Sequence, residues 1–271
     1  MSSTYVHGYD PSESTRLQDQ AATLVDLLHA DTLFPEGSRI LEAGCGVGAQ
    51  TVTLARSSPK ARITSIDISE ASLVEAERRV RSEGLLNVTF QQGDLFDLPF
   101  EPESFDHLFV CFVLEHLPEP AKAIQALSKF LRPGGTVTVI EGDHGSTFFH
   151  PYSPAARGAI DCQVTLQKRA GGNANIGREL FPLLSGAGLD RVRVSPRMVY
   201  VDASRPELVE GFTRRTFTAM IEGVRQPALD AELIDRESFD LGIRDLHRTT
   251  EADGVFSYTF FKAFARKSAA A

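Results

Sequence analysis

Arg39-Ile-Leu-Glu-Ala-Gly-Cys-Gly-Val-Gly-Ala49 is the stretch on which the fold turns. A short apolar run, Ile40 and Leu41, meets Glu42 and then a turn with glycine at 44, 46 and 48. A helix-like segment, Gln50 to Arg56, follows at once. Strand, glycine turn and helix start in that order let a ligand lie against bare backbone, where a side chain would collide. A tight strand–helix turn that holds no ligand is the plain alternative.

Outward from this unit, strands alternate with helices. Ala61–Asp67 reads as a second strand ending in an acid, and Ser69 caps a helix that runs to about Glu83 and stops at Gly84. Val88–Gln91, Ser104–Phe112 and Thr136–Glu141 read as further strands, with a helix over Pro120–Phe130 stopped by Arg132-Pro-Gly-Gly135. Upstream, residues 11–30 form an amphipathic helix with Leu17, Ala21, Leu24, Leu27 and Leu28 on one face. Downstream, residues 145–190 hold a helix or two, Arg191–Val201 a strand, residues 205–250 helices divided at Pro227, and Gly254–Arg266 a last strand. The pattern predicts one α/β domain over residues 1–271: a Rossmann-like, doubly wound, mostly parallel seven-stranded sheet with an antiparallel last strand and a helical cap. Its parts are an N-terminal covering helix (1–35), a cofactor-binding core (36–142), substrate-side helices and cap with one strand (143–253), and the last strand (254–267).

The 271 residues, 42% of them hydrophobic, suffice for a large core. A net charge of −8 disfavours nucleic acid as the main partner. Cys45, Cys111 and Cys162 are widely spaced and form no CxxC pair, which argues against a disulfide framework or zinc site and fits a reducing cytoplasm. The N-terminus has no basic start and no apolar signal core, and no stretch approaches about 18 unbroken apolar residues, so no membrane span is expected.

The turn alone leaves its ligand open. Gly44-Cys-Gly-Val-Gly-Ala49 also fits GxGxxA, a permitted variant of the dinucleotide fingerprint, and Asp67 lies about as far on as a ribose-binding acid should. The wider context narrows the choice. Leu41-Glu-Ala-Gly-Cys-Gly-Val-Gly48 resembles motif I of the class I S-adenosylmethionine-dependent methyltransferases. Asp67-Ile-Ser69, Gln92-Gly-Asp-Leu-Phe-Asp-Leu-Pro-Phe100, Ser104-Phe-Asp-His-Leu-Phe-Val110, Val113-Leu-Glu-His-Leu117 and Leu131-Arg-Pro-Gly-Gly135 are similar to that family's later segments in the same order. The resemblance spans residues 36–142, about 40% of the chain, and is nearest the quinone-biosynthesis and small-molecule members.

That resemblance implies roles. The backbone of Gly44, Cys45, Gly46 and Gly48 would approach the methionine portion of S-adenosylmethionine, and Glu42 would orient its amino end. Asp67 would accept from both ribose hydroxyls. Ile68 would flank the adenine, Asp94 would accept from its amino group, and Gly93 and Leu95 lie beside it. Cys111 and Phe112 mark where the fourth strand meets the cofactor. Tyr9, Arg16 and Gln20 on the covering helix would reach the methionine end. As structural alternatives, Asp67 and Asp94 could be loop caps, Ile68 and Leu95 plain core, and Arg16 and Gln20 a solvated face.

The methyl acceptor should be a small molecule, met at the strand carboxyl ends. His144 and His116 are candidate general bases, with His116 also readable as a packing residue. Glu141, Asp143 and His144 are candidate acceptor ligands. Pro151-Tyr152, Arg178, Arg197 and Tyr200 would help wall the pocket, and Phe212, Phe217, Met220 and Ile221 read as an apolar face of the cap. Asp143, His144 and His150 lack HxH or HxxxH spacing, so no metal is expected. The product would be S-adenosylhomocysteine and the assembly a monomer or homodimer. The rivals are a nicotinamide-dependent oxidoreductase and a non-catalytic S-adenosylmethionine-binding protein.

Overall fold

The computed structural model describes residues 23–269. Seven strands form a single sheet: β1 (Arg39–Ala43), β2 (Arg62–Asp67), β3 (Val88–Gln92), β4 (Phe105–Cys111), β5 (Leu131–His150), β6 (Leu189–Val201) and β7 (Val255–Lys267). Their order is β3-β2-β1-β4-β5-β7-β6. β1 to β5 pair in parallel, and β7 runs antiparallel to both β5 and β6. The expected antiparallel last strand is therefore present, inserted inside the sheet rather than at its edge.

Residues 23–29 are helical (α1); the expected start of that helix lies outside the described residues. α2 (Ala49–Ser57), α3 (Glu70–Ser82), α4 (Pro120–Ser128), α5 (Pro154–Arg169) and α6 (Leu180–Gly186) follow. Side chains alternate across each strand with period two. Phe109, Ile140, Phe256, Tyr258 and Phe260 therefore face one core with Leu24, Leu28, Leu54 and Ile160. Leu108, Val110, Val137, Val139, Ala263 and Ala265 face the other core with Ile124, Leu127, Leu180 and Leu184. Ser69 caps α3, accepting from Ser72 N at 3.2 Å, as expected.

One expectation about the second half is corrected. β5 does not end at Glu141. It runs to His150, pairs with β7 through Asp143, loses register, and pairs again from Phe148. Asp143 and His144, like Glu141, thus belong to a long irregular strand. The expected division near Pro227 is present, three residues earlier, at Val224 between Ala219–Gly223 and Arg225–Asp230. Pro227 sits in the first turn of Arg225–Asp230, where its missing N–H costs nothing, and a second break precedes Arg236–Arg248. The preceding helical stretch, 206–223, contains a π-helix over Val209–Thr218. Its wider turn places Phe212 and Phe217 together over Phe256 and Tyr258, with ring centroids 4.7–6.1 Å apart. Phe212, Phe217 and Ile221 are wholly in the core, so this face of the cap is packing surface. Among the described residues no helix is long and apolar enough to cross a membrane.

Candidate active site

The glycine turn joins β1 to α2 at the carboxyl edge of the parallel strands. Gly44 N and Cys45 N donate to Ile66 O at 2.8 and 2.9 Å, which binds the turn to β2. Gly46 N donates to Asp67 Oδ2 at 2.8 Å, and Ser69 N donates to Asp67 Oδ1 at 2.9 Å. Gly93 N donates to Asp67 O at 3.0 Å and brings the end of β3 alongside. Each carboxylate oxygen has two acceptor sites, so Asp67 keeps one on each oxygen for a ligand. Burial raises its pKa, against the opposing pull of the Ser69 and Gly46 N–H groups.

Two glycines of the turn serve different ends. Gly46 has φ 50°, and a Cβ built on it would meet nothing within 4 Å. Open space in front of a backbone held this firmly is a cradle. Gly48 has φ 77°, and its Cβ would lie 2.9 Å from Ala76 Cα and Cβ. Its smallness lets α2 pack against α3.

Glu42 is buried beneath the turn. Its Oε2 accepts from Thr51 Oγ1 at 2.8 Å and Ser65 Oγ at 2.6 Å, so it braces β1 against α2 and β2. Burial, opposed by those two hydroxyls and reinforced by Asp67, pushes its pKa from 4.5 up to about 7. The folded protein holds this proton more tightly than the unfolded chain. The stabilisation is complete below about pH 4.5 and is lost as pH rises through about 7. Glu42→Gln should remove that slope. Wild type should lose roughly 3 kcal/mol relative to the variant between about pH 4.5 and 8, at 1.36 kcal/mol per unit. Urea unfolding across that range checks it; parallel pH profiles would contradict it.

Around the rim, Ile68 is 63% exposed at the end of β2, so it is not core. Leu95 is half-buried against the second core, which is the structural reading of that residue. Asp94 is exposed, and its Oδ1 accepts from Phe96 N at 3.0 Å, so it also caps its own loop. Cys45 and Cys111 are buried thiols whose pKa values burial pushes up, which leaves them inert packing groups. Phe112 holds φ 57°, a strained conformation for a bulky residue, at the tip of β4. Its ring lies 5.5 Å from Phe260. Tyr9, Arg16 and Gln20 lie outside the described residues.

Beyond β4 the groups are acidic and aromatic. Glu141 is 0% exposed, and its Oε1 accepts from Val113 N at 3.0 Å and Leu114 N at 2.8 Å. Burial, with Glu115 nearby, holds its pKa well above the usual carboxylate range. It buttresses the turn after Phe112 and is withdrawn from direct contact with an acceptor. Asp143 is buried and gripped by Arg178, Nε at 2.8 Å to one oxygen and Nη2 at 2.6 Å to the other. Both expected acceptor ligands therefore have structural employment. His116 Nε2 lies 3.5 Å from Glu115 Oε1 in the short turn Leu114–His116.

His144 is 5% exposed, and its Nδ1 is 3.1 Å from both Ala174 O and Tyr258 Oη. A carbonyl only accepts, so Nδ1 carries the proton and Nε2 is the basic nitrogen. Tyr258, on β7, was not singled out in the sequence; its partner is 114 residues away, and no local signal marks it. The Arg197 side chain is engaged by Asp31 and Leu27 O rather than by Asp143 or His144. Tyr152 and Tyr200 are exposed. Among the described residues no His, Cys, Asp and Glu group could hold a metal ion.

Residues 40–135 match the methyltransferase domain family. The chain is 35% identical, over 72% of its own length, to an uncharacterized 37.1 kDa protein in a transposon of Streptomyces fradiae, and spans 56% of that protein. It is 28% identical, over 82% of its length, to the 27-O-demethylrifamycin SV methyltransferase of Amycolatopsis mediterranei, and spans 76% of it. Among solved structures, Haemonchus contortus phosphoethanolamine N-methyltransferase 2 superposes with TM-score 0.56 at 18% identity, over 93% of this chain and 53% of that one.

Proposed function

From a chain that belongs to the class I S-adenosylmethionine-dependent methyltransferases, we propose that it binds S-adenosylmethionine at the Gly44–Asp67 cradle and methylates a small-molecule acceptor. The observation that carries this reading is the pairing of Asp67 with Gly46: a carboxylate fixed by two backbone N–H groups, each oxygen with an acceptor site to spare, beside a backbone facing open space. A ribose diol and an amino-acid tail have the matching groups. When bound, the cofactor supplies an electrophilic methyl on a sulfonium. The chain's task is then to align an acceptor and exclude water.

Phe112, half-buried at the tip of β4, offers an apolar surface there, backed by the packed core rings of Phe260, Tyr258 and Phe217 that lead towards His144. Such a surface suits an acceptor with a substantial apolar body. Where the accepting atom is a hydroxyl, a base must take its proton. His144 Nε2 and His116 are the candidates for that role. The relative whose name specifies an O-demethyl substrate supports an oxygen acceptor.

The test is calorimetry with S-adenosylmethionine, S-adenosylhomocysteine and NADH, followed by mass spectrometry of metabolite extracts incubated with enzyme and methyl-labelled cofactor. Micromolar binding of the first two and label in a small molecule are expected. NADH binding in their place would favour an oxidoreductase. Tight S-adenosylhomocysteine binding with no labelled product across the extracts would favour a binding protein without turnover.

A further inference from the structure

A second cavity, of about 450 Å³, opens on the same face of the sheet as those aromatic rings but at the opposite end of the strands. Four adjacent strands build it by period-two alternation. β4 contributes His107, β5 Thr136 and Thr138, β7 Lys262 and Phe264, and β6 Arg193, Ser195 and Arg197; the segment Asp31–Pro35 closes the side. Thr138, Phe264 and Arg193 share one rung across the sheet, and Ile140, Lys262 and Ser195 the next. The same alternation that points Phe256, Tyr258 and Phe260 into the core points Lys262 and Phe264 into this groove.

Its charge balance runs against that of the chain. The whole sequence carries −8, yet the groove holds Arg193, Arg197 and Lys262 against a single acid, Asp31. Lys262 is 8% exposed; its Nζ donates to Asp31 Oδ1 at 2.6 Å, Leu28 O at 3.0 Å and Thr32 Oγ1 at 2.5 Å. Its three donors are filled, so it contributes field rather than a free hydrogen bond. Arg197 is spent on Asp31, Leu27 O and Ser195 Oγ. Arg193 differs: among the described residues its side chain has no hydrogen bond and no ion pair. Charge on an edge strand deters pairing with other chains. That role alone does not call for a cavity, a row of hydroxyls and a nearly buried lysine behind the arginine.

We propose that this groove binds a small metabolite bearing a phosphate or carboxylate group on an apolar body. Arg193 would supply the planar fork that such oxyanions fit. Thr138 would supply a hydroxyl, Lys262 and Arg197 the surrounding positive field, and Phe34, Leu33 and Phe264 the apolar wall. The volume lies in the range of small-molecule sites and is too small for a macromolecular segment of any length.

Calorimetry at fixed ionic strength with phenyl phosphate and with benzoate, on wild type and Arg193→Gln, tests this and separates the two oxyanions. Saturable one-to-one binding of at least one probe is expected, weakened about tenfold or more by the substitution. Arg193→Lys should fall between the two, because it keeps the charge and loses the fork. S-adenosylhomocysteine should not displace the probe, and cofactor affinity should be the same in all three proteins. The proposal is overturned by an absence of saturable binding of both probes, by equal affinity in wild type and Arg193→Gln, or by displacement with S-adenosylhomocysteine. None of these outcomes depends on whether methyl transfer is found.

Discussion

Asp67→Ala should lower the affinity for S-adenosylmethionine by at least about 100-fold while the protein still folds. The carboxylate is the only acidic side chain bonded directly to the turn, through Gly46 N, among the described residues. Its two remaining acceptor sites would each take a ribose hydroxyl, and a hydrogen bond to a charged group contributes roughly 1.5–3 kcal/mol. Two such bonds set the lower bound, since 1.4 kcal/mol is a factor of ten. The alanine also releases Gly46 N and Ser69 N, at a cost of a few degrees in Tm, because both lie at a half-open rim where water can replace the carboxylate. Calorimetry and circular dichroism on the same preparation read the two effects separately. An Asp67→Ala protein that is folded and binds the cofactor like wild type would remove this site from consideration.

The glycine turn provides the second large effect, as a contrast. Gly46→Ala should fold with a penalty of about 1–2 kcal/mol, the cost of a left-handed conformation for a residue with a Cβ. It should nonetheless lose most cofactor affinity, because the new methyl fills space that no protein atom uses. Gly48→Ala should do the reverse. Its Cβ would stand 2.9 Å from the Ala76 backbone, and a helix cannot swing aside as a side chain can. Strain and overpacking together should remove about 2–5 kcal/mol of stability. Affinity per folded molecule should change less than in Gly46→Ala. Urea unfolding beside calorimetry resolves the two variants. If Gly46→Ala bound as tightly as wild type, the open space beside the turn would not be the cofactor's.

The part of the fold legible in the sequence is the part made by near neighbours in the chain. Strand, glycine turn and helix around Ala43–Ala49 follow from a single window, and so does the capped helix after Ser69. The acceptor side follows no such rule. β5 continues past Glu141 because β7, more than 100 residues later, pairs with it again after a bulge. His144 lies beside Tyr258 only through that pairing, and Asp143 meets Arg178 on the turn Ile176–Glu179, 35 residues on. Arg197 was expected at the pocket wall, but its side chain is held by Leu27 O and Asp31, partners some 170 residues earlier in the chain. Lys262 gave no signal, since a lone lysine in an aromatic strand reads as a break in alternation until its three partners near residue 30 are known.

The position of β7 also bears on how the molecule comes into being. It is last among the strands in sequence, yet lies between β5 and β6. A nascent chain on the ribosome can assemble β1 to β5 as it emerges, because those pairings are sequential or nearly so. Until residues 255–267 are released, β5 and β6 each present a bare edge, and the aromatic core lacks Phe256, Tyr258 and Phe260. Exposed edges beside apolar surface invite association with other chains. The need for chaperone protection therefore lasts until β7 emerges and fills the gap between β5 and β6.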